Sequence, residues 1–436
     1  MLTSRSSPLI ATLTFKPSSS YHLDLHVEFK SGAVVDLPDI REDTIKYACR
    51  KAGKYLNEFA KVAGAPRARA LPDQLDYAFN YLLDCGCQLG LELTSGDAEK
   101  FRTLRLAFKK VWPEWSHPTR EVIPRVQLVG PDEALAFPLE LVPMFNTTEI
   151  PPLENAWVRA KVASRFLGFT AVICRVAPST DRCRDVLHNN PTLPVQFVRR
   201  VEPQKRGRSR KRFSATGFEQ EAEFLASLRR RNLVSLDGPW PTTEVSANKV
   251  VDSLVDALYN AQGFRPGSVI GGIELAHFAC HCTTDKPDDD EYELELSTET
   301  GEPRPVKLHQ IRTGYVQRSE NAREQLSYRA PVILNACGTS TVDPWSGLSF
   351  QGHFLRNRHR AFLGTQAAIN DLAAADYAEL FYRFLLGGFT LGEAVVLARR
   401  QLLADTGSPL GILYVQYGND QFAVEQSHPD ELPIGG

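Results

Sequence analysis

The sequence lacks any apolar run long enough to cross a bilayer. Its most hydrophobic N-terminal stretch, residues 8–15 (PLIATLTF), is short and broken by threonines, and no small-residue cleavage site follows it clearly. Neither a membrane span nor a secretory leader is expected. The eight cysteines, at positions 49, 85, 87, 174, 183, 280, 282 and 337, lack the regular short-chain spacing of a disulfide scaffold. A reducing, bacterial-type cytoplasm is the expected compartment. An excess of one charge is also missing: 50 Lys and Arg stand against 52 Asp and Glu, for a net charge of -2. That balance gives no global pull toward nucleic acid or an anionic membrane. No repeat with a period near 34 residues is visible, which excludes a helical-repeat arm. The Gly271-Gly272 and Gly387-Gly388 pairs form no phosphate-binding fingerprint and read as turns.

What is present is ordinary globular composition, 43% hydrophobic and 23% charged, over 436 residues. That length suits one large domain with an appended unit, or two domains. Leu9–Phe15, His22–Phe29 and Val34–Leu37 alternate apolar and polar residues around turn residues and predict a small β-meander. From Asp43 to Trp112 apolar residues recur at helical spacing, as at Leu75, Phe79, Leu82 and Leu83. Beyond that block, Val126–Val129, Phe166–Val176 and Val195–Val201 read as strands, and Gly217–Arg231 and Ala247–Gln262 as helices. The expected class is α/β, a mostly parallel sheet flanked by helices, over residues 116–436. Residues 1–115, a meander followed by helices, are expected to form a smaller N-terminal accessory region.

Two short apolar segments carry the chemistry. Ile273–Cys282 (IELAHFACHC) delivers His281, and Pro331–Ser340 (PVILNACGTS) delivers Cys337. Apolar runs of this length read as buried strands, so both side chains are expected where their strands leave the core, the usual place for reactive groups in open α/β sheets. A His beside a Cys can take the thiol proton, and backbone N–H groups can hold the oxyanion that follows thiolate attack. Two blander readings compete. Cys280, Cys282 and Cys337 are of a type often buried as inert core thiols. His277, Cys280, His281 and Cys282 are all zinc-ligand types, but strand neighbours point to opposite faces and no second ligand pair stands at zinc spacing. No metal or other cofactor is expected. His277 lies four positions before His281, on the same face of a strand and deeper, which suits a structural or supporting role.

The pair HFACHC and LNACGTS resembles the His and Cys boxes of the CHAT family, caspase-like peptidases related to separases and metacaspases. The resemblance extends to Ala136–Met144 (AFPLELVPM), Gly347–Thr365, Asn370–Leu403 and Leu413–Asp420 (LYVQYGND), in the family's order over about residues 115 to 425. It implies a caspase-like fold and a cysteine endopeptidase with His281 as base and Cys337 as nucleophile. The backbone N–H groups of Cys337 and of the residue after the His would serve as oxyanion donors. That second position is usually Gly in caspase-like enzymes and is Cys282 here, which presents its N–H without strain only at negative φ.

The resemblance also implies a pocket role for Asp371, matching an Asp that can line the site for the residue before the scissile bond. An acidic pocket favours Arg or Lys. From the residues alone, Asp371 reads equally well as the cap of a helix beginning near Leu372. Asp285–Glu299 adds an acidic stretch just after His281, of a kind loops and edge strands carry for solubility. Arg199–Arg212 (RRVEPQKRGRSRKR) is a basic segment expected as a solvated loop. Its residues Arg206, Arg208, Arg210, Lys211 and Arg212 form a candidate self-cleavage or pseudosubstrate stretch, while the absence of interleaved aromatics weighs against direct nucleic-acid binding. The expected partners are a protein substrate, such as a gasdermin-like or other effector in bacterial defence or signalling, and a separate sensor or activator, with no membrane. The rival is a non-catalytic scaffold or nucleic-acid-binding module that uses the basic loop.

Overall fold

The structure is a computed structural model that describes residues 7–63, 72–111, 122–144, 156–176, 187–188, 192–201, 217–259, 274–286, 289–319, 329–336 and 350–424. The chain opens with β1 (Leu9–Ser19), β2 (His22–Phe29) and β3 (Val34–Arg41), an antiparallel meander. β1 continues through Pro17, where a turn was expected, because its register with β2 merely shifts there. Three helices follow, α1 (Glu42–Ala63), α2 (Pro72–Leu93) and α3 (Ala98–Val111). Next come β4 (Arg125–Val129), α4 (Asp132–Leu135), α5 (Ala156–Ala163), α6 (Leu167–Thr170) and β5 (Val172–Val176). The expected single strand over Phe166–Val176 therefore begins as a helical turn. The Thr170 hydroxyl donates back to the Phe166 carbonyl at 3.0 Å, and the chain extends only from Ala171.

These strands form one five-stranded sheet in the order β3-β2-β1-β4-β5. β1 pairs in parallel with β4, Leu13 opposite Leu128, so strands from before and after residue 115 share one sheet. One apolar core runs from Ile10 through Phe79 and Phe108 to Leu413 and Val424.

The rest of the chain alternates strands and helices: β6 (Leu187–His188), β7 (Leu193–Arg199), α7 (Gly217–Arg230), β8 (Val234–Trp240), α8 (Val250–Tyr259) and β9 (Leu275–Ala279). A three-stranded antiparallel excursion of β10 (His281–Lys286), β11 (Asp289–Glu295) and β12 (Val306–Lys307) leads to α9 (Leu308–Ser319). Then follow β13 (Val332–Asn335), α10 (Phe350–Arg356), β14 (Ala361–Thr365), α11 (Asp371–Leu386), α12 (Leu391–Thr406), β15 (Tyr414–Gly418) and β16 (Ala423–Val424). The six-stranded sheet has the order β15-β14-β13-β9-β7-β8, and only β15 runs antiparallel to its neighbour. The expected mostly parallel α/β architecture is thus the one observed. The strand order reverses between β7 and β9, a switch point that opens a crevice at the carboxyl ends of the strands.

Helices cover both faces, and the two-residue period of the strands sorts their side chains between them. Leu275, Ala279 and Ile333 join the core beneath α7, α11 and α12; Ala276, Phe278, Val332 and Leu334 join a second core with α8, α9 and α10. The two sheets meet where β5 lies beside β15. Arg175 of β5, fully buried, donates to Glu140 at 2.7 and 2.5 Å and to the carbonyls of Leu135 and Phe137. Arg399 of α12 lies 3.8 Å from Glu140 and donates to the carbonyls of Gly168 and Tyr414. Glu140 in AFPLELVPM and Arg399 thus belong to one buried charge network that joins the sheets.

Candidate active site

β9 (LAHFA) is buried at every position, as is β13 (VILN), which explains their apolar composition. They are parallel neighbours, with Ala279 opposite Asn335. His281 follows Ala279 by two residues, and Cys337 follows Asn335 by two. Cys337 lies outside the described residues, as do Arg206, Arg208, Arg210, Lys211 and Arg212. The chain leaves the sheet at Cys280, and His281 opens β10 opposite Glu295. The His281 ring is half-buried, edge-on to Phe218 of α7 with 5.0 Å between ring centres.

The neighbouring cysteines have other tasks. Cys280 is 1% exposed and packs in the second core, on the sheet face away from Phe218. Cys282 lies in β10 opposite Leu294, with its side chain against that same core. Its backbone is extended at negative φ, so a side chain at this position brings no strain. Burial pushes the thiols of Cys85 and Cys174 up to about 12, which makes both unreactive near neutrality. Among the described residues no group of three or more His, Cys, Asp or Glu could hold a metal ion. None of the described helices is long and apolar enough to cross a membrane.

Asp371 stands at the head of α11, half-buried, with both oxygens engaged. Oδ1 accepts from the N–H of Leu372 at 2.9 Å and Oδ2 from the N–H of Gly217 at 2.9 Å. The N-termini of α7 and α11 therefore both point at this carboxylate, a setting that favours negative charge. Asn370 is the N-cap itself, accepting from Leu372 at 3.0 Å. The link to His281 is short: Gly217 holds Asp371, and the next residue, Phe218, touches the imidazole. An open groove of about 720 Å³ lies beside Asn370, between Lys54, Asn57 and Lys61 of α1 and the 368–370 segment.

The basic segment leaves from the same edge. The Arg200 N–H donates to the Ala279 carbonyl at 2.8 Å, its guanidinium pairs with Glu295, and the Val201 N–H donates to Ser297 Oγ at 2.6 Å. The stretch Asp285–Glu299 is largely strand: in β11, Tyr292 and Leu294 turn inward while Glu293 and Glu295 turn out.

Beneath the strand ends lies a polar cluster that the sequence reading left unassigned except for His277. Glu221 of α7, 2% exposed, accepts from His277 Nε2 and from Asn335 Nδ2, the latter at 2.9 and 3.0 Å. With the carboxylate as acceptor, Nε2 of His277 carries the proton and Nδ1 accepts from the Tyr382 hydroxyl at 3.1 Å. Burial first, and the Glu221 charge second, push the Tyr382 hydroxyl well above its ordinary range, which keeps it a donor. Asn335 also donates to the Ala374 carbonyl at 3.1 Å and accepts from the Tyr414 hydroxyl at 2.6 Å. The signal was present: Glu221 shares the apolar stripe of Phe218, Leu225 and Leu228, and Asn335 ends an otherwise apolar strand. A carboxylate on a core-facing stripe calls for buried partners.

Comparison with solved structures gives low-identity likenesses. A chain of the separase–securin complex of Saccharomyces cerevisiae aligns at 11% identity and TM-score 0.44, over 95% of this chain and 30% of that one. The complex of the pro- and mature domains of RgpB from Porphyromonas gingivalis aligns at 10% identity and TM-score 0.41, over 85% of this chain and 78% of that one. The chain thus spans less than a third of the separase-complex chain. No curated protein matches it. The CHAT domain family model matches residues 154–430, which take in His281, Cys337, Asp371 and the whole six-stranded sheet, and on that match the chain belongs to the CHAT family.

Proposed function

We propose that the chain is a cysteine endopeptidase in which Cys337 is the nucleophile and His281 its base. The observation that carries this reading is the register of β9 and β13. Ala279 lies opposite Asn335 at the carboxyl edge of the sheet, so the segments leading to His281 and Cys337 start side by side. Family membership and the burial of Cys280 support the same choice of thiol. In the reaction, His281 takes the thiol proton and the sulfur attacks the scissile carbonyl carbon. The backbone N–H groups of Cys282 and Cys337 then hold the oxyanion. The imidazolium returns the proton to the departing amine as the C–N bond breaks, and water then hydrolyses the thioester with His281 again acting as base.

The substrate is a protein with Arg or Lys before the cleaved bond, received by Asp371, and the groove along α1 offers room for further substrate residues. One segment of matching charge belongs to the chain itself. The basic stretch departs at Val201 next to the Ala279 carbonyl and rejoins at Gly217 on Asp371, which supports Arg206–Arg212 as a self-cleavage segment. An intact-mass measurement that finds no cut there in active protein, with unchanged activity on deleting the segment, would end that part of the reading. We further propose a setting in bacterial defence or signalling, in which a separate sensor releases the enzyme onto an effector such as a gasdermin-like pore former.

The deciding experiment is labelling with peptidyl electrophiles bearing Arg, Leu or Asp before the warhead, comparing wild type with Cys337→Ala and His281→Ala. The expected result is labelling of wild type, strongest with Arg, and its loss in both variants. Absence of labelling at Cys337, with candidate partners and nucleic acid added, would favour a non-catalytic scaffold.

A further inference from the structure

Three contacts made by one end of α7 meet the candidate site. The Gly217 N–H holds Asp371, the Phe218 ring lies against His281, and the Glu221 carboxylate binds His277 of β9 and Asn335 of β13. Phe218 and Glu221 are three apart and share one helix face, so what fixes Glu221 also fixes the ring that touches the imidazole. Glu221 takes hydrogen bonds from both central strands, at positions four residues before His281 and two before Cys337. Tyr382 of α11 and Tyr414 of β15 complete its partners' hydrogen bonding, so the cluster spans three strands and two helices with every member buried.

We propose that Glu221 is a positioning residue for the reaction: through His277 and Asn335 it registers α7 against the ends of β9 and β13, and through Phe218 it sets the attitude of His281. The alternative is a polar cluster that only stabilises the core. Apolar packing alone tolerates small slides of a helix along a sheet, whereas a carboxylate held by donors on two strands admits one register. Glu221 touches neither substrate nor the reacting atoms, so its loss acts on the rate of bond formation and leaves substrate binding alone.

The inference rests on His281 and Cys337 acting as proposed above, and the test separates the two. Inactivation by an Arg-bearing peptidyl electrophile is measured over a range of concentrations to give the maximal rate and the half-saturating concentration, alongside thermal melting. For Glu221→Gln, which keeps the shape but puts an amide where both partners donate, the maximal rate is expected to fall about ten- to a hundredfold, as for displacements near 1 Å. The half-saturating concentration should stay within about twofold of wild type. Tyr382→Phe and Tyr414→Phe, which each delete one hydroxyl, should lower the same rate by smaller factors and decide the matter if Glu221→Gln does not fold. A labelled wild type, with folded variants that react at its rate and differ only in melting temperature, would overturn the positioning role alone. A wild type unlabelled at Cys337 would overturn the dyad and this role together.

Discussion

Gly217→Ala tests how closely α7 must sit. A Cβ at this position would lie 2.0 Å from the Asp371 carbonyl oxygen, 2.2 Å from its carbon and 2.7 Å from the Leu372 nitrogen. All three are backbone atoms, which cannot swing aside as a side-chain tip can. Real Cβ atoms essentially never approach closer than 3.0 Å, so α7 and α11 must separate by about 1 Å. Overpacking of this kind costs about 1–3 kcal/mol of stability. The separation lengthens the 2.9 Å hydrogen bond from Gly217 to Asp371 and draws Phe218 away from His281. A misplacement of about 1 Å near a reacting group can cost about a hundredfold in rate. Inactivation kinetics with an Arg-bearing electrophile, together with urea unfolding, would report both losses. Gly53→Ala is the control, because nothing lies within 4 Å of a Cβ built there in the interior of α1. It should gain up to about 1 kcal/mol from helix propensity and leave the kinetics alone. Wild-type stability and wild-type inactivation in Gly217→Ala would refute the argument that α7 is seated backbone to backbone on α11.

Arg175→Met strands Glu140 in a buried site with, among the described residues, only the Arg399 guanidinium to pair with, at 3.8 Å; urea unfolding should show a loss of about 3–5 kcal/mol, and a loss under about 1 kcal/mol would contradict the account. Burial, aided by Arg312, lowers His353 to about 3, and burial lowers His359 to about 3 despite its hydrogen bond to the Ala330 carbonyl. Both imidazoles are therefore held neutral in the fold while the unfolded chain takes protons near its ordinary value of about 6.5. That stability is fully present above about pH 6.5 and falls as the pH drops toward 3, by about 2 kcal/mol per imidazole at pH 5. Unfolding midpoints that stay level from pH 7 to 5 in wild type would sink this reading. Asp371→Asn should narrow the rate advantage of Arg over Leu electrophiles about tenfold or more, and an unchanged ratio would leave Asp371 as a helix-end residue only.

Much of the architecture was legible because buried strands and amphipathic helices announce themselves by period. β2, β7, α7 and the paired strands around His281 and Cys337 lie within two residues of their expected limits at most ends. Phe166–Val176 misled because an apolar run gives no phase: Phe166 to Thr170 can bury its side chains as one helical turn as readily as a strand. The acidic stretch after His281 read by charge as a loop or an edge strand without deciding between them, and the burial of Tyr292 and Leu294 on one face of β11 is what makes most of it strand. At the site, chemistry-bearing types in strand-end positions pointed to His281 and Cys337. The supporting cluster was harder, because Glu221, Tyr382 and Tyr414 come from segments far apart in sequence and only the fold shows which donor meets which acceptor.

The parallel pairing of β1 with β4 bears on how this chain is made. The meander emerges before β4, and its inner edge at Leu13 finds Leu128 only after more than a hundred further residues have been synthesised. Such distant pairing is slow to form and leaves an open edge while it waits. A shortened chain begun after residue 115 would carry that exposure permanently. β4, with Val126 and Leu128 wholly buried in the intact fold, would become a bare apolar edge and a template for chain-to-chain pairing.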